Sequence, residues 1–266
     1  MKRKAFNNYG EKPAVEKEVS SKQLTRRNFI SFGAFAGLSA VGYSGWKWLY
    51  NSPKEVAGIT ASARAPMRRA LNQNELFMRR LFSRNHLVKT YPKSMAAKKV
   101  RQNSDIGLEG AFNPADWKLT IKKQNGEELS INIDELKKMP KTEIVFDFKC
   151  VEGWDQIQHW GGVRFVDLIE HMGLQNETKA EYVGMATPDE KYYVGLDMPS
   201  AIHPQTILAY EMNGRQMPVN HGHPLRLIIP VKYGIKNLKR IGTISFSNTR
   251  PPDYWAKKGY DYYSGL

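Results

Sequence analysis

The sequence predicts a mixed α+β domain with many short strands and a few helices. Three observations carry that prediction. After Trp117 apolar and polar residues alternate in short stretches, as half-buried strands do. Helical spacing of apolar residues is confined to a few brief segments. No long run alternates strand with helix, as a doubly wound parallel sheet requires, and no motif repeats at a period of about 20 to 50 residues.

Residues 1–50 read as a targeting region. Arg26 and Arg27 stand directly before 29–46, a run that is apolar or small throughout, and Phe29 follows the pair by two residues. The pattern resembles a twin-arginine export signal, which places the body in the periplasm. The run lies near the minimum length for a membrane span. Lys47 with Trp46, Trp48 and Tyr50 suits an interfacial anchor. The expectation is an uncleaved anchor in the inner membrane, with Ala61, Ser62 and Ala63 as the alternative cleavage point.

Residues 51–80 form an appendage, a basic linker over 51–69 followed by a short helix. Leu76, Phe77, Leu81 and Phe82 recur at helical spacing and predict that helix over 72–82. Residues 81–266 form the main domain. Its first part, 85–111, is polar and irregular. Stretches 117–121 and 129–133 alternate about a turn at Asn125 and Gly126. A short helix follows over 133–139, with Asp134 as cap and Pro140 beyond. Residues 143–149 form a strand that runs into a polar turn rich in Gly and Trp. Residues 163–172 form an amphipathic helix ended by Gly173. Further strands are expected near 182–185, 192–196, 209–212, 225–230 and 241–247, with Asn213 and Gly214 as a turn.

The 266 residues carry 40 Lys and Arg against 26 Asp and Glu, a formal charge of +14. Residues 1–27 hold eight basic and three acidic side chains, and residues 51–104 hold twelve and two. Such segments can meet nucleic acid, an anionic membrane surface or an acidic partner, or can be a solvated basic face. No zinc-ligating cysteine set, nucleic-acid motif or Arg-Gly repeat accompanies them, so no nucleic-acid partner is expected.

Cys150 is the only cysteine, so it forms no intrachain disulfide. A thiol where a strand enters a loop is either a reactive group on a rigid scaffold or a buried small hydrophobe. Its surroundings decide between them. Cys150, Val151, Glu152, Gly153 and Trp154 are followed in order by Trp160-Gly161-Gly162-Val163, by 208–214, by His221-Gly222-His223-Pro224-Leu225-Arg226, and by Lys232-Tyr233-Gly234-Ile235-Lys236. This series resembles the sulfite oxidase superfamily of molybdopterin oxidoreductases, and within it the bacterial periplasmic protein-methionine-sulfoxide reductase catalytic subunits. The resemblance runs over about 80–262.

The resemblance implies a mixed-sheet sulfite-oxidase-type domain carrying molybdenum with molybdopterin. It makes Cys150 the thiolate ligand of the metal, a soft donor suited to a centre that cycles by two electrons. It assigns Asn85, His86, Thr187, His221, Arg226, Lys232, Lys236, Asn237, Leu238 and Lys239 to the pterin and its phosphate tail. Arg226 would grip phosphate through two bonds, and 236–239 would add backbone N–H groups. Tyr233 is a candidate for the active-site rim, as are Trp154 and Trp160, which otherwise read as core aromatics. His203 reads as structural.

Glu152 beside the ligand cysteine disfavours a dianionic substrate, which argues for a sulfoxide over sulfite. No flavin, haem or nicotinamide motif is present, so the resemblance implies electrons from a haem-bearing membrane subunit. It also implies a monomeric catalytic subunit. The alternatives are a sulfite-oxidising dehydrogenase on the same fold and a cofactor-free, membrane-anchored binding protein.

Overall fold

The computed structural model describes residues 20–53, 64–109 and 112–266. The chain divides after Ser52 into two units. The first holds one helix, α1 (Ser21–Asn51), whose N-terminus is closed by a capping box between Ser20 and Gln23. Phe29, Phe32, Phe35, Trp46 and Trp48 are exposed along it. Among the described residues no helix is long and apolar enough to cross a membrane. The run expected as a near-minimal span lies in α1, where its glycines and serines dilute the apolar content. Residues 61–63, the alternative cleavage point, lie outside the described residues.

The second unit opens with α2 (Ala65–Leu81), longer than the helix expected from 72 onward. Pro66 occupies its first turn, where a missing N–H costs nothing. Arg68 and Glu75 are buried on its inner side, so polar residues hide a face that apolar spacing alone does not reveal.

Two five-stranded sheets follow. The first joins β1 (Leu119–Lys122), β2 (Glu128–Ile131), β5 (Tyr182–Ala186), β6 (Tyr193–Asp197) and β10 (Thr243–Ser247) in the order β2-β1-β10-β5-β6. Only the β1–β10 pair is parallel, which makes the sheet mixed as expected. The second joins β3 (Thr142–Lys149), β4 (Asp155–Arg164), β7 (Ile207–Met212) and β8 (Arg215–Gln216), with β9 (Arg226–Ile228) paired to β7. Asn213 and Gly214 turn β7 into β8 with positive φ, as a two-residue hairpin requires. Short helices α3 (Ile133–Lys137), α4 (Phe165–His171), α5 (Met198–Ala201) and α6 (Tyr254–Lys257) fill the connections. The cap of α3 is Asn132 rather than the expected Asp134, because the Asn132 side chain accepts from Glu135 N while Glu135 reaches back to Asn132 N.

The sequence reading places no strand over 155–164, where β4 lies, and α4 is correspondingly shorter than the predicted 163–172. Both faces of β4 are buried along most of its length, so its sequence shows no alternation. Gly162 lies at a register shift against β7, and a Cβ there would stand 2.1 Å from Leu208 O. The main core gathers Leu119, Ile121, Leu168, Val183, Leu196 and Ile244. A second cluster uses Ile144, Phe146 and Phe148, alternate residues of β3, with Trp160 of β4. The end of β3 is thus clamped, and Cys150 is the residue that follows it.

Candidate active site

Lys149 and Asp155 are the last paired positions of the β3–β4 hairpin, so 150–154 form its loop. Cys150 N donates to Trp154 O at 2.9 Å and Gly153 N donates to Cys150 O at 3.1 Å. Gly153 takes φ +86°, a conformation that side chains with a Cβ resist. The thiol is buried, and Asn103 Nδ2 lies 3.5 Å from its Sγ. Burial pushes the thiol pKa up; what opposes this is hydrogen bonding from the loop backbone and Asn103, not a cation. A free Cys150 is therefore a protonated, weak nucleophile at neutral pH. A bound metal would remove that proton, which is the chemistry a soft ligand needs.

Cys150 lines a cavity together with two groups of residues. The first surrounds Trp154, whose ring stacks on Phe148 at 6.1 Å between centroids. Arg101 lies over the Trp154 ring at 4.7 Å, and Trp154 Nε1 donates to Glu152 Oε2 at 2.9 Å. One cation and one anion thus flank the same indole next to the thiol.

The second group is cationic. Arg226 is buried, with Nη1 donating to His221 O at 3.0 Å and Nη2 to Asn237 O at 3.2 Å. Its guanidinium lies 4.5 Å from the Trp160 ring centre. Its Nε is buried without a hydrogen-bond partner. Burial alone pushes Arg226 down to about 9. Lys239 Nζ donates to the carbonyls of Asn103 and Ser104, each at 2.7 Å, and of Asn220 at 3.1 Å. Burial, then Arg226, pushes Lys239 down to about 7. His221 is held down to about 4 by burial, Arg226 and Lys239. No carboxylate bonds to any of the three among the described residues. Arg226 depresses Lys239, and both cations depress His221; with the orphaned Arg226 donor, the three fit a bound phosphate, which would satisfy Nε and relieve the repulsion. Asn237 clips this arrangement together, accepting from Ile229 N at 2.8 Å and donating to Tyr233 O at 3.1 Å.

The structure does not bring every expected residue to this cavity. Lys232 Nζ lies 3.0 Å from Asp197 Oδ1, with both side chains buried. Lys236 Nζ donates to Asp253 Oδ2 at 2.6 Å and to Gly195 O at 2.9 Å. Both lysines sit in ion pairs of the fold and neither lines the cavity, although Lys232 Nζ, like Arg226 Nε, is buried without a hydrogen-bond partner. Leu238 is core, and its N–H is already bonded to Lys236 O at 3.0 Å. Thr187 is fully buried and bonds Asp189 Oδ1 at 2.5 Å; it meets the cavity only through Tyr192, whose N it accepts from at 3.2 Å. Asn85 lines a separate cleft beside Arg84 and Pro199, and His86 is exposed, its carbonyl taken by His203 Nε2 at 3.1 Å. Tyr233 lines an outer cleft that also touches Cys150, Gly153 and Trp154, not the cavity. Asn103, Arg101, Tyr192, Trp255 and Tyr260 line the cavity and were not foreseen. None belongs to a motif, and Arg101 and Asn103 fall in the stretch read as irregular.

A buried thiol beside cations that lack carboxylate partners suits a cofactor that carries both a soft metal and a phosphate. The comparisons identify which. Residues 107–255 match the family described as oxidoreductase molybdopterin binding domain, and the chain belongs to it. It is an oxidoreductase, and its cofactor is molybdenum with molybdopterin. A relative from Azospira oryzae, named as a candidate protein-methionine-sulfoxide reductase subunit YedZ1, is 33% identical over 70% of this chain and 70% of its own. The protein-methionine-sulfoxide reductase catalytic subunits MsrP of Campylobacter jejuni and Ralstonia nicotianae are each 31% identical. The alignments cover 60% and 59% of this chain, and 60% and 52% of those proteins. Among solved structures, the sulfane dehydrogenase SoxCD from Paracoccus pantotrophus matches at 17% identity with a TM-score of 0.47, over 53% of this chain and 40% of its own.

Proposed function

We propose that this chain is the catalytic subunit of a periplasmic enzyme that reduces sulfoxides, protein-bound methionine sulfoxide among them. In the reaction the S–O bond breaks, the sulfur gains two electrons, and two protons carry the oxygen away as water. When bound, molybdenum with molybdopterin supplies the two-electron oxygen-atom exchange. Cys150 would hold the metal. Arg226, Lys239 and His221 would hold the phosphate. Asn103 would fix the direction of the Cys150 Sγ. Trp154 and Trp160 form walls that keep water from the reacting oxygen.

The observation that carries the sulfoxide reading is the charge balance at Trp154. Arg101 and Glu152 offset one another beside Cys150, so that part of the cavity offers no surplus cation for a dianion such as sulfite. A neutral sulfoxide meets no such penalty. The MsrP relatives, which carry that activity in their names, support the same reading. The Arg26–Arg27 pair supports export by the twin-arginine route, and the exposed aromatics of α1 support association with the membrane. Electrons would arrive from a haem-bearing membrane subunit, with the chain acting as a monomer toward it.

The test is molybdenum and pterin content of the exported protein beside Cys150→Ser, followed by turnover of methionine sulfoxide and of sulfite. Stoichiometric metal, its loss or altered spectrum in the variant, and turnover of the sulfoxide alone are expected. Faster oxidation of sulfite would overturn the substrate assignment. An unchanged metal site in Cys150→Ser would overturn the role given to the thiol.

A further inference from the structure

We propose that a basic groove opening from the cavity binds the acidic chain segment that flanks a protein-bound sulfoxide. This rests on the sulfoxide reading above and names the class of protein substrate it favours. The groove shares Val100, Arg101 and His221 with the cavity, and adds Lys98, Lys99 and Met212. A sulfoxide side chain that reaches the thiol must leave its own backbone outside. The groove is a built channel in which that backbone can lie.

Its wall is pinned from three sides. Ala97 N donates to Ile157 O of β4 at 2.9 Å, and Arg101 N to Gln156 Oε1 at 2.9 Å. Gln156 Nε2 returns a bond to Lys99 O at 3.2 Å. Asn213 Nδ2 holds Ala97 O at 3.0 Å, and Asn220 Nδ2 holds Gln102 Oε1 at 2.6 Å. The segment carrying the cations is therefore fixed to the same hairpin that carries Cys150.

The cations themselves are free. Lys98 and Lys99 are exposed, and neither makes an ion pair among the described residues. Nearby lysines are engaged with acids of the second sheet, Lys93 with Glu143 at 2.5 Å and Lys141 with Glu211 at 2.9 Å. Met212 and Pro218 give the groove an apolar floor against which side chains can rest. Fixed cations over an apolar floor complement an extended segment bearing Asp or Glu, and oppose one bearing Lys or Arg.

The experiment uses the cofactor-loaded enzyme with a reduced viologen as the sole electron donor, so that the peptide is the only macromolecular partner. Peptides carrying one central methionine sulfoxide are flanked by Asp, by Ser or by Lys, and free methionine sulfoxide is run beside them. The expected kcat/KM order is Asp over Ser over Lys, with about tenfold between Asp and Ser. The Asp advantage should shrink as salt is raised. Lys98→Glu with Lys99→Glu should reverse the order and leave turnover of free methionine sulfoxide unchanged. Equal rates for the three peptides would overturn the proposal. So would an order that survives the double variant. Failure to reduce even free methionine sulfoxide would overturn the sulfoxide reading itself, and the groove assignment with it.

Discussion

Two pairs of cations lie within fourteen residues of one another and have opposite fates. Lys232 and Lys236 are locked against Asp197 and Asp253. Arg226 and Lys239 hold only backbone carbonyls, and Arg226 keeps an idle Nε. Arg226, Lys232 and Lys236 are buried and Lys239 is half-buried, and burial of a cation is costly unless a counter-charge meets it. The first pair meets its counter-charge within the fold. Asp197 is held below the ordinary carboxylate range: burial would raise it, but Lys232 and two bonds from Ser200 more than offset that. The second pair has none from the fold, so its counter-charge must come from a ligand. The contrast teaches that a basic motif identifies a phosphate cradle only after the acids that could neutralise it have been located.

The sharpest way to break this contrast is to exchange the roles. Lys236→Met leaves the Asp253 carboxylate buried beside Gly195 and the start of α6 without its cation. It should cost about 3–5 kcal/mol, and equally in cofactor-loaded and cofactor-free protein, as read from denaturation midpoints. Arg226→Met should do the reverse. Cofactor-free stability should change little, because two bonds to carbonyls are lost while an unpaired buried charge is relieved. Pterin affinity should fall by about tenfold to a hundredfold, the worth of a charge-assisted bond. Pterin retained through gel filtration measures it. If Lys236→Met lost pterin without losing stability, the division between the two pairs would be wrong.

The sequence makes the thiol legible because a single cysteine ends an alternating strand, and the structure places it in a tight hairpin loop. β1, β2 and β10 of the first sheet are legible because one face is buried more deeply than the other. β4 is not, since burial on both faces erases the alternation. The assigned residues that the structure does not bring to the cavity are of another kind. Lys232 and Lys236 stand in the right motif, but their partners Asp197 and Asp253 are the caps of α5 and α6, which no local pattern links to them. Arg101 and Asn103 reach the cavity from a segment without periodicity, where only tertiary contact decides what a side chain faces.

A pH profile tests the cationic group through its histidine. His221 keeps a folded-state pKa of about 4 against an ordinary 6.5, because burial and two neighbouring cations oppose its charge. Between those values the unfolded chain binds a proton that the folded chain refuses. Stability of the cofactor-free protein therefore rises with pH from about 4 to 6.5, and falls by about 2–3 kcal/mol as the pH is lowered through that window. His221→Gln should flatten this part of the profile, measured as denaturation midpoint against pH. Bound phosphate adds negative charge beside the imidazole and raises its pKa, so the cofactor-loaded protein should show a shallower slope than the cofactor-free one. Equal slopes in the two forms would mean that the anion does not lie beside His221, and the cradle would have to be sought around Lys239 alone.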